Sequence, residues 1–197
     1  MSSNEFSELP LLPLPYRDTD YFYVSRDGQS YRGVPDPSIS GLTSALGVQV
    51  ASFQIRRPAG ESGGSFYPPA TWLERPFNYE HPLNDFGTLS PLPSAGRIEL
   101  PSGHYVVMGW MTGMENAGMR CRLRPLTGSL DPIYSASTYS LHYSWHIPLD
   151  GLLAVTEPTQ LVAEMRCDRN RSKAWGYGYR THVEPEIYGS LLFLRKT

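Results

Sequence analysis

The chain has 197 residues, a net charge of −2, 40% apolar residues and only 18% charged ones. That is enough apolar material for one real core plus a smaller appendage, which excludes a disordered chain, and the near-neutral charge excludes a global attraction to nucleic acid or an acidic membrane. Glycine and proline number 18 each and tyrosine 13, while long segments with a 3.6-residue apolar period are almost absent, so short strands and many turns are expected and the chain reads as all-β.

No apolar stretch approaches the ~18 residues that span a bilayer, and Met1–Glu5 has no secretory-signal pattern, so the chain is expected to be made and kept in a cytoplasm. Cys121 and Cys167 are too few and too far apart for a disulfide scaffold or a zinc site; they read as buried thiols, with a bond between them the alternative. The 15 arginines stand against two lysines, Lys173 and Lys196. Interfaces favour Arg, Tyr, Trp and Met over Lys and Glu, and a GC-rich genome produces the same bias.

In chain order, Leu9, Leu11, Leu12 and Leu14 are punctuated by Pro10, Pro13 and Pro15. Each proline removes a donor and restrains its neighbour, so this arm runs extended, either as a strap docked on a partner or packed on its own domain. Tyr21, Phe22 and Tyr23 then open a β-rich run, and Asp27-Gly28 separates it from a second run, Gln29–Val34. An Asp-Gly pair between two such runs signals a hairpin with a type I′ turn. Ser38 is placed to cap a short helix through Leu46, ended by Gly47.

The stretch from Leu9 to Leu46, and above all Thr19–Val34, resembles the N-terminal module of many tailed-bacteriophage virion proteins, in which such a hairpin precedes a short helix and joins a variable C-terminal part. Pro35-Asp36-Pro37 before the helix departs from that pattern. The resemblance implies a docking role for residues 1–50, with Leu9, Leu11, Leu12, Leu14, Tyr21, Phe22 and Tyr23 as the contact set.

Residues 51–96 space aromatic rings (Phe66, Trp72, Phe77, Tyr79, Phe86) between prolines, so this connection is expected to be ordered and to lie over the domain or a neighbouring subunit. Gly60-Glu61-Ser62-Gly63-Gly64 satisfies the Gly-x-Ser-x-Gly pattern, but Arg56-Arg57-Pro58 before it and Pro68-Pro69 after it do not supply the buried strand and the helix that a nucleophile elbow needs. It reads as a turn.

From residue 97 strands recur. His104–Met111 is apolar at both parities and reads as buried on two sides. Met119, Cys121 and Leu123 alternate with Arg120, Arg122 and Arg124; Tyr139, Leu141, Tyr143, Trp145 and Ile147 form a further alternating run; and Leu161, Ala163, Met165 and Cys167 alternate with Glu164 and Arg166. The final run, Tyr188–Leu194, is an unbroken apolar segment suited to the middle of a sheet. These features describe an antiparallel sandwich of jelly-roll type over residues 97–197. Ile98–Val107, Glu157–Glu164 and Gly189–Leu194 resemble the corresponding strands of the TNF/C1q-like jelly roll, whose members associate as trimers; the resemblance implies a homotrimer.

Candidate chemistry is sparse. His142 and His146 are ~13 Å apart if they share a strand, too far for one metal, and Asp168-Arg169-Asn170 lacks the glycine and distal glutamate of a calcium loop. No catalytic residue, metal or cofactor is assigned. Two surface constellations remain. Arg120, Arg122 and Arg124 form a stripe for an acidic partner or glycan unless Glu164 neutralises it. Trp175, Tyr177 and Tyr179, separated by glycines, form a ladder for sugar stacking or subunit packing. Tyr105 and Val107 join that ladder as candidate subunit-interface residues.

The combined expectation is a non-enzymatic bacteriophage virion protein, a capsid decoration or cement protein. It binds itself as a trimer and the major capsid protein or another virion protein, without nucleic acid or membrane. The alternative is a short tail or fibre protein whose knob binds host saccharide; the chain carries no coiled-coil, collagen-like or β-helical shaft pattern.

Overall fold

The computed structural model describes residues 22–26, 29–33, 47–66, 68–90, 96–127, 130–169, 175–181 and 185–196. The leucines of the arm, Tyr21 and the expected helix from Ser38 lie outside these residues. Every described element is a strand, and none of the described segments is a helix long and apolar enough to cross a membrane.

The chain divides into two compact units, Met1–Gln49 with Thr197, and Val50–Lys196. In the first, β1 (Phe22–Arg26) pairs antiparallel with β2 (Gln29–Gly33). Arg26 stands opposite Gln29, so only Asp27 and Gly28 separate the strands, the two-residue spacing that this dipeptide signals.

The second unit is built from β3 (Val48–Arg57), β4 (Leu73–Glu74), β5 (Tyr79–Glu80), β6 (Thr88–Leu89), β7 (Ile98–Leu100), β8 (Gly103–Met114), β9 (Ala117–Pro125), β10 (Ile133–Tyr134), β11 (Thr138–Ser140), β12 (Ser144–Pro148), β13 (Gly151–Val155), β14 (Thr159–Cys167) and β15 (Glu186–Lys196). One sheet has the order β10-β9-β14-β7-β6, with β11 also on β9 and β4 also on β14; the other has the order β12-β8-β15-β3-β5, with β13 also on β8. The chain alternates between them: β7 in the first sheet, β8 in the second, β9 back in the first, β13 in the second, β14 in the first and β15 in the second. The last strand lies between β8 and β3, in the middle of its sheet. This is a jelly roll, an antiparallel β-sandwich.

Period-two alternation builds the core. Ile98, Leu100, Met119, Cys121, Leu123, Leu161, Ala163 and Met165 point inward from the first sheet; Phe53, Tyr105, Val107, Met111, Ile147, Leu191 and Phe193 meet them from the second. Phe193 sits edge-on to Phe53 at 5.9 Å and to Tyr105 at 6.4 Å, the offset geometry that aromatic quadrupoles favour. Gly109 is required where it stands. β12 pairs with β8 from Trp110 onward and β13 only as far as Val107; at the junction the Gly109 N–H donates to Asp150 Oδ1 at 3.1 Å, and a Cβ would run into the Ser190 carbonyl oxygen.

Two expectations are corrected here. The run from Tyr139 to Ile147 is not one strand: β11 belongs to the first sheet and β12 to the second, and the chain changes sheets at Leu141–Tyr143. Strand β8 is not buried on both faces. Its odd-numbered residues Tyr105 and Val107 fill the sandwich at 2% and 0% exposure, whereas Val106 and Met108 face outward at 41% and 39%. Tyr105 and Val107 are therefore inaccessible to another subunit, and it is Val106 and Met108 that the strand turns outward.

Candidate functional site

Part of the outer face of the second sheet, across β13, β8 and β15, is apolar, while β3 turns Gln54 and Arg56 outward. Register sets Leu152, Val106 and Leu194 side by side across β13, β8 and β15, with Met108 and Leu192 in the next row but one along the same face. Leu152 is 78% exposed. Further along β8, Trp110 pairs with Pro148 on one side and Ser190 on the other, and the His146 ring stacks on the Trp110 ring at 4.2 Å and 17°. His146 is thus an aromatic surface contact, while His142 lies in the bend between the sheets beside Tyr143. Among the described residues no group of three or more His, Cys, Asp or Glu side chains is placed to hold a metal.

The segment 175–181 crosses one end of this sheet as a turn rather than a strand, so its three rings do not line up. Tyr177 turns inward, edge-on to Phe66 at 5.6 Å, while Trp175 and Tyr179 meet each other at 5.9 Å and Tyr179 remains exposed. A single ladder from Trp175 to Tyr179 is therefore replaced by one core ring and one surface pair.

Beneath this turn lies Arg75, a residue that the sequence reading did not single out. It is fully buried, and its guanidinium donates to the Thr112 carbonyl at 3.1 Å and the Tyr188 carbonyl at 3.4 Å. It also lies 3.8 Å from the centre of the Tyr177 ring. Burial pulls its pKa below the ordinary guanidinium value, with the Tyr177 oxygen acting against that. The two thiols share this interior: burial pushes Cys121 up to about 12 and raises Cys167 as well, with Arg75 opposing in both. Both are free thiols, held in the protonated, unreactive form.

On the outer face of the first sheet, Glu164 resolves most of the arginine stripe. Arg122 Nε donates to Glu164 Oε2 at 2.6 Å, and Arg124 donates through Nε to Oε2 and through Nη2 to Oε1, each at 2.9 Å. Arg122 also stacks 4.3 Å from the centre of the Trp72 ring. Arg122 and Arg124 thus share one carboxylate, and among the described residues Arg120 alone of the three has no carboxylate within ion-pair distance. Burial acts to raise the Glu164 pKa, but hydrogen bonds from Arg124 and Arg122 and their charges outweigh it and hold the carboxyl below its ordinary value.

A carboxylate lowered in the folded state stabilises fully above its unfolded value, and the stabilisation is lost as pH falls through the folded one. Glu164→Gln is therefore expected to cost about 2 kcal/mol at neutral pH, since Arg124 is partly exposed and screened. The difference in melting temperature between wild type and variant should shrink below the ordinary carboxyl value of 4.5. A difference constant from pH 7 to pH 3 would mean that the pair contributes nothing through its charge.

The strands and faces define a jelly-roll protein with one partly apolar and one arginine-aromatic outer surface. No protein-family model matches the chain, and no curated protein matches it. Among solved structures it is similar to Eiger TNF from S. frugiperda, at 13% identity and a TM-score of 0.48, covering 76% of this chain and 92% of that one. It is similar also to murine APRIL, at 7% identity and a TM-score of 0.44, covering 75% and 98%. The globular domain of zebrafish complement 1qA protein matches at 8% identity and a TM-score of 0.38, covering 74% and 94%. At these identities the likeness is one of architecture.

Proposed function

We propose that the protein is a non-enzymatic, homotrimeric structural component of a bacteriophage virion, assembled in the host cytoplasm, that decorates or cements the capsid. The observation that carries self-association is the outward apolar row Leu152, Val106 and Leu194 with Met108 and Leu192 nearby. A second copy is its occupant, because a chain this poor in Lys and rich in Arg and Tyr has the composition of an interface, and a closed cyclic assembly hides such a face on every subunit. The virion assignment is supported by the likeness of residues 9–46 to phage docking modules and by the β1–β2 hairpin at its centre. The docking partner is the major capsid protein or a neighbouring virion protein, reached through the arm's Leu9, Leu11, Leu12 and Leu14.

Light scattering of the purified chain at micromolar concentration is expected to give a trimer, and a monomer would remove the self-association reading. Deleting residues 1–46 should leave a folded oligomer that no longer joins particles; wild-type occupancy by the truncated chain would reassign docking to the jelly roll. The second reading, a tail or fibre knob that binds host saccharide, is favoured by the exposed rings of Tyr143, Trp145 and Tyr179. Copy number decides between them: hundreds per virion fit decoration, and a handful fit a fibre.

A further inference from the structure

Two neighbouring transverse rows on the outer face of the first sheet differ in how their charges are paired. In one, register places Tyr134 beside Arg122, Arg122 beside Glu164 and Glu164 beside Glu74. In that row every charge has an opposite partner: Glu164 holds Arg122 and also Arg124, and Glu74 lies 3.6 Å from Arg97. In the next row Arg120 stands directly opposite Arg166, and Trp72 follows on the far side of Arg166, one step beyond the Leu73–Met165 pair. Among the described residues no carboxylate lies within ion-pair distance of either guanidinium. Like charges directly opposed across two strands destabilise a sheet, and here they stand exposed.

The two cations flank a depression of about 240 Å³, whose walls include Trp72, Ser137, Gly118 and Asp168. Arg120 is held in place by donating through Nε to the Ser135 carbonyl at 3.1 Å and by lying 4.7 Å from the centre of the Tyr134 ring. Asp168 continues the ladder past β14, its N–H donating to the Gly118 carbonyl at 2.9 Å, and its carboxylate lies over Gly118 where any Cβ would collide with it. The depression therefore presents two guanidinium groups, one carboxylate, one hydroxyl and one indole.

We infer that this depression binds a sugar acid, a single pyranose ring bearing one carboxylate. Each part of the wall has a partner on such a ring. The guanidinium forks of Arg120 and Arg166 match a carboxylate. Asp168 accepts hydrogen bonds from ring hydroxyls, which a uniformly acidic protein surface does not offer. Ser137 donates or accepts, and Trp72, with Arg122 over its ring and Tyr134 beside it, lines the depression with apolar surface. The volume lies below the ~300 Å³ at which pockets for drug-sized ligands begin, which suits one ring rather than an extended chain. This inference rests on the jelly roll of a single chain and stands apart from the trimer and from the virion location.

The test is titration calorimetry of the full chain with three acidic probes, digalacturonate, a glucuronate-containing disaccharide and sialyllactose, each against its neutral counterpart. At least one acidic probe should bind at least tenfold more tightly than its neutral partner. Arg166→Gln should weaken that binding at least tenfold while leaving the melting temperature unchanged or raised, because it also relieves the like-charge opposition. Binding by none of the acidic probes, equal binding of the neutral ones, or undiminished binding by the variant would overturn the inference. A lowered melting temperature in Arg166→Gln would give the pair a structural role instead, and polyglutamate competing as well as the bound sugar would reassign the surface to an acidic protein partner.

Discussion

Replacing Arg75 by alanine is expected to cost about 4 kcal/mol or more, a large part of the ~5–15 kcal/mol that holds a domain of this kind together. The side chain is fully buried, and its removal leaves a cavity between the sheets beside Tyr177 and Met165. It also removes the guanidinium donor from the Thr112 carbonyl, a loss worth ~1–3 kcal/mol when buried, and the longer contact to the Tyr188 carbonyl, which the Thr112 hydroxyl also reaches at 3.0 Å. Arg75→Met separates these effects, because methionine restores volume and the contact with the aromatic ring but no donor; it should cost about half as much. Urea unfolding followed by tryptophan fluorescence measures both, and a wild-type midpoint for Arg75→Ala would mean that the guanidinium only offsets its own burial.

The position of Arg75 also shows where the sequence was legible. Leu73, Glu74 and Arg75 alternate, and a strict period of two puts Arg75 on the inward face with Leu73; β4 has only two residues, too few for that period to be recognised against the prolines around it. Where strands are long and one parity is polar, the reading was secure: Met119, Cys121 and Leu123 point inward and Arg120, Arg122 and Arg124 outward, as their alternation requires. Strand β8 is the opposite case. Both parities of His104–Met111 are apolar, so the pattern carries no sign of which face meets the core, and Tyr105 and Val107 read as surface residues although they fill the core. The run Tyr139–Ile147 alternates without a break, yet the chain changes sheets within it; alternation does not report which partner strand each half finds. The Arg166 pairing with Arg120 was unreadable for a related reason, because it depends on the register of β14 against β9 and not on either segment alone.

The second large effect concerns assembly. Met108→Arg combined with Leu152→Arg is expected to convert a trimer into monomers at micromolar concentration without unfolding the sandwich. In a single chain both side chains already meet water, Leu152 at 78% and Met108 at 39% exposure, so a charged replacement is solvated there and the fold loses little. In an assembly that covers this face, the same two charges are buried without a partner on every subunit, at a cost of several kcal/mol for each interface. The dissociation constant should rise at least a thousandfold, since every 1.4 kcal/mol is a factor of ten. Salt gives the complementary measurement. Exposed ion pairs contribute ~0–1 kcal/mol each, whereas full burial of a Leu or Met side chain contributes ~1.5–3 kcal/mol, so apolar contact outweighs charge across Leu152, Val106, Met108, Leu192 and Leu194. Raising ionic strength from ~0.1 to ~1 M shrinks the Debye length from ~10 to ~3 Å and should leave the proposed wild-type trimer intact in sedimentation velocity. Dissociation by salt with an intact double variant would place the contact on the arginine-bearing face of the first sheet, and the sugar-acid depression would then lie inside the assembly rather than open to solvent.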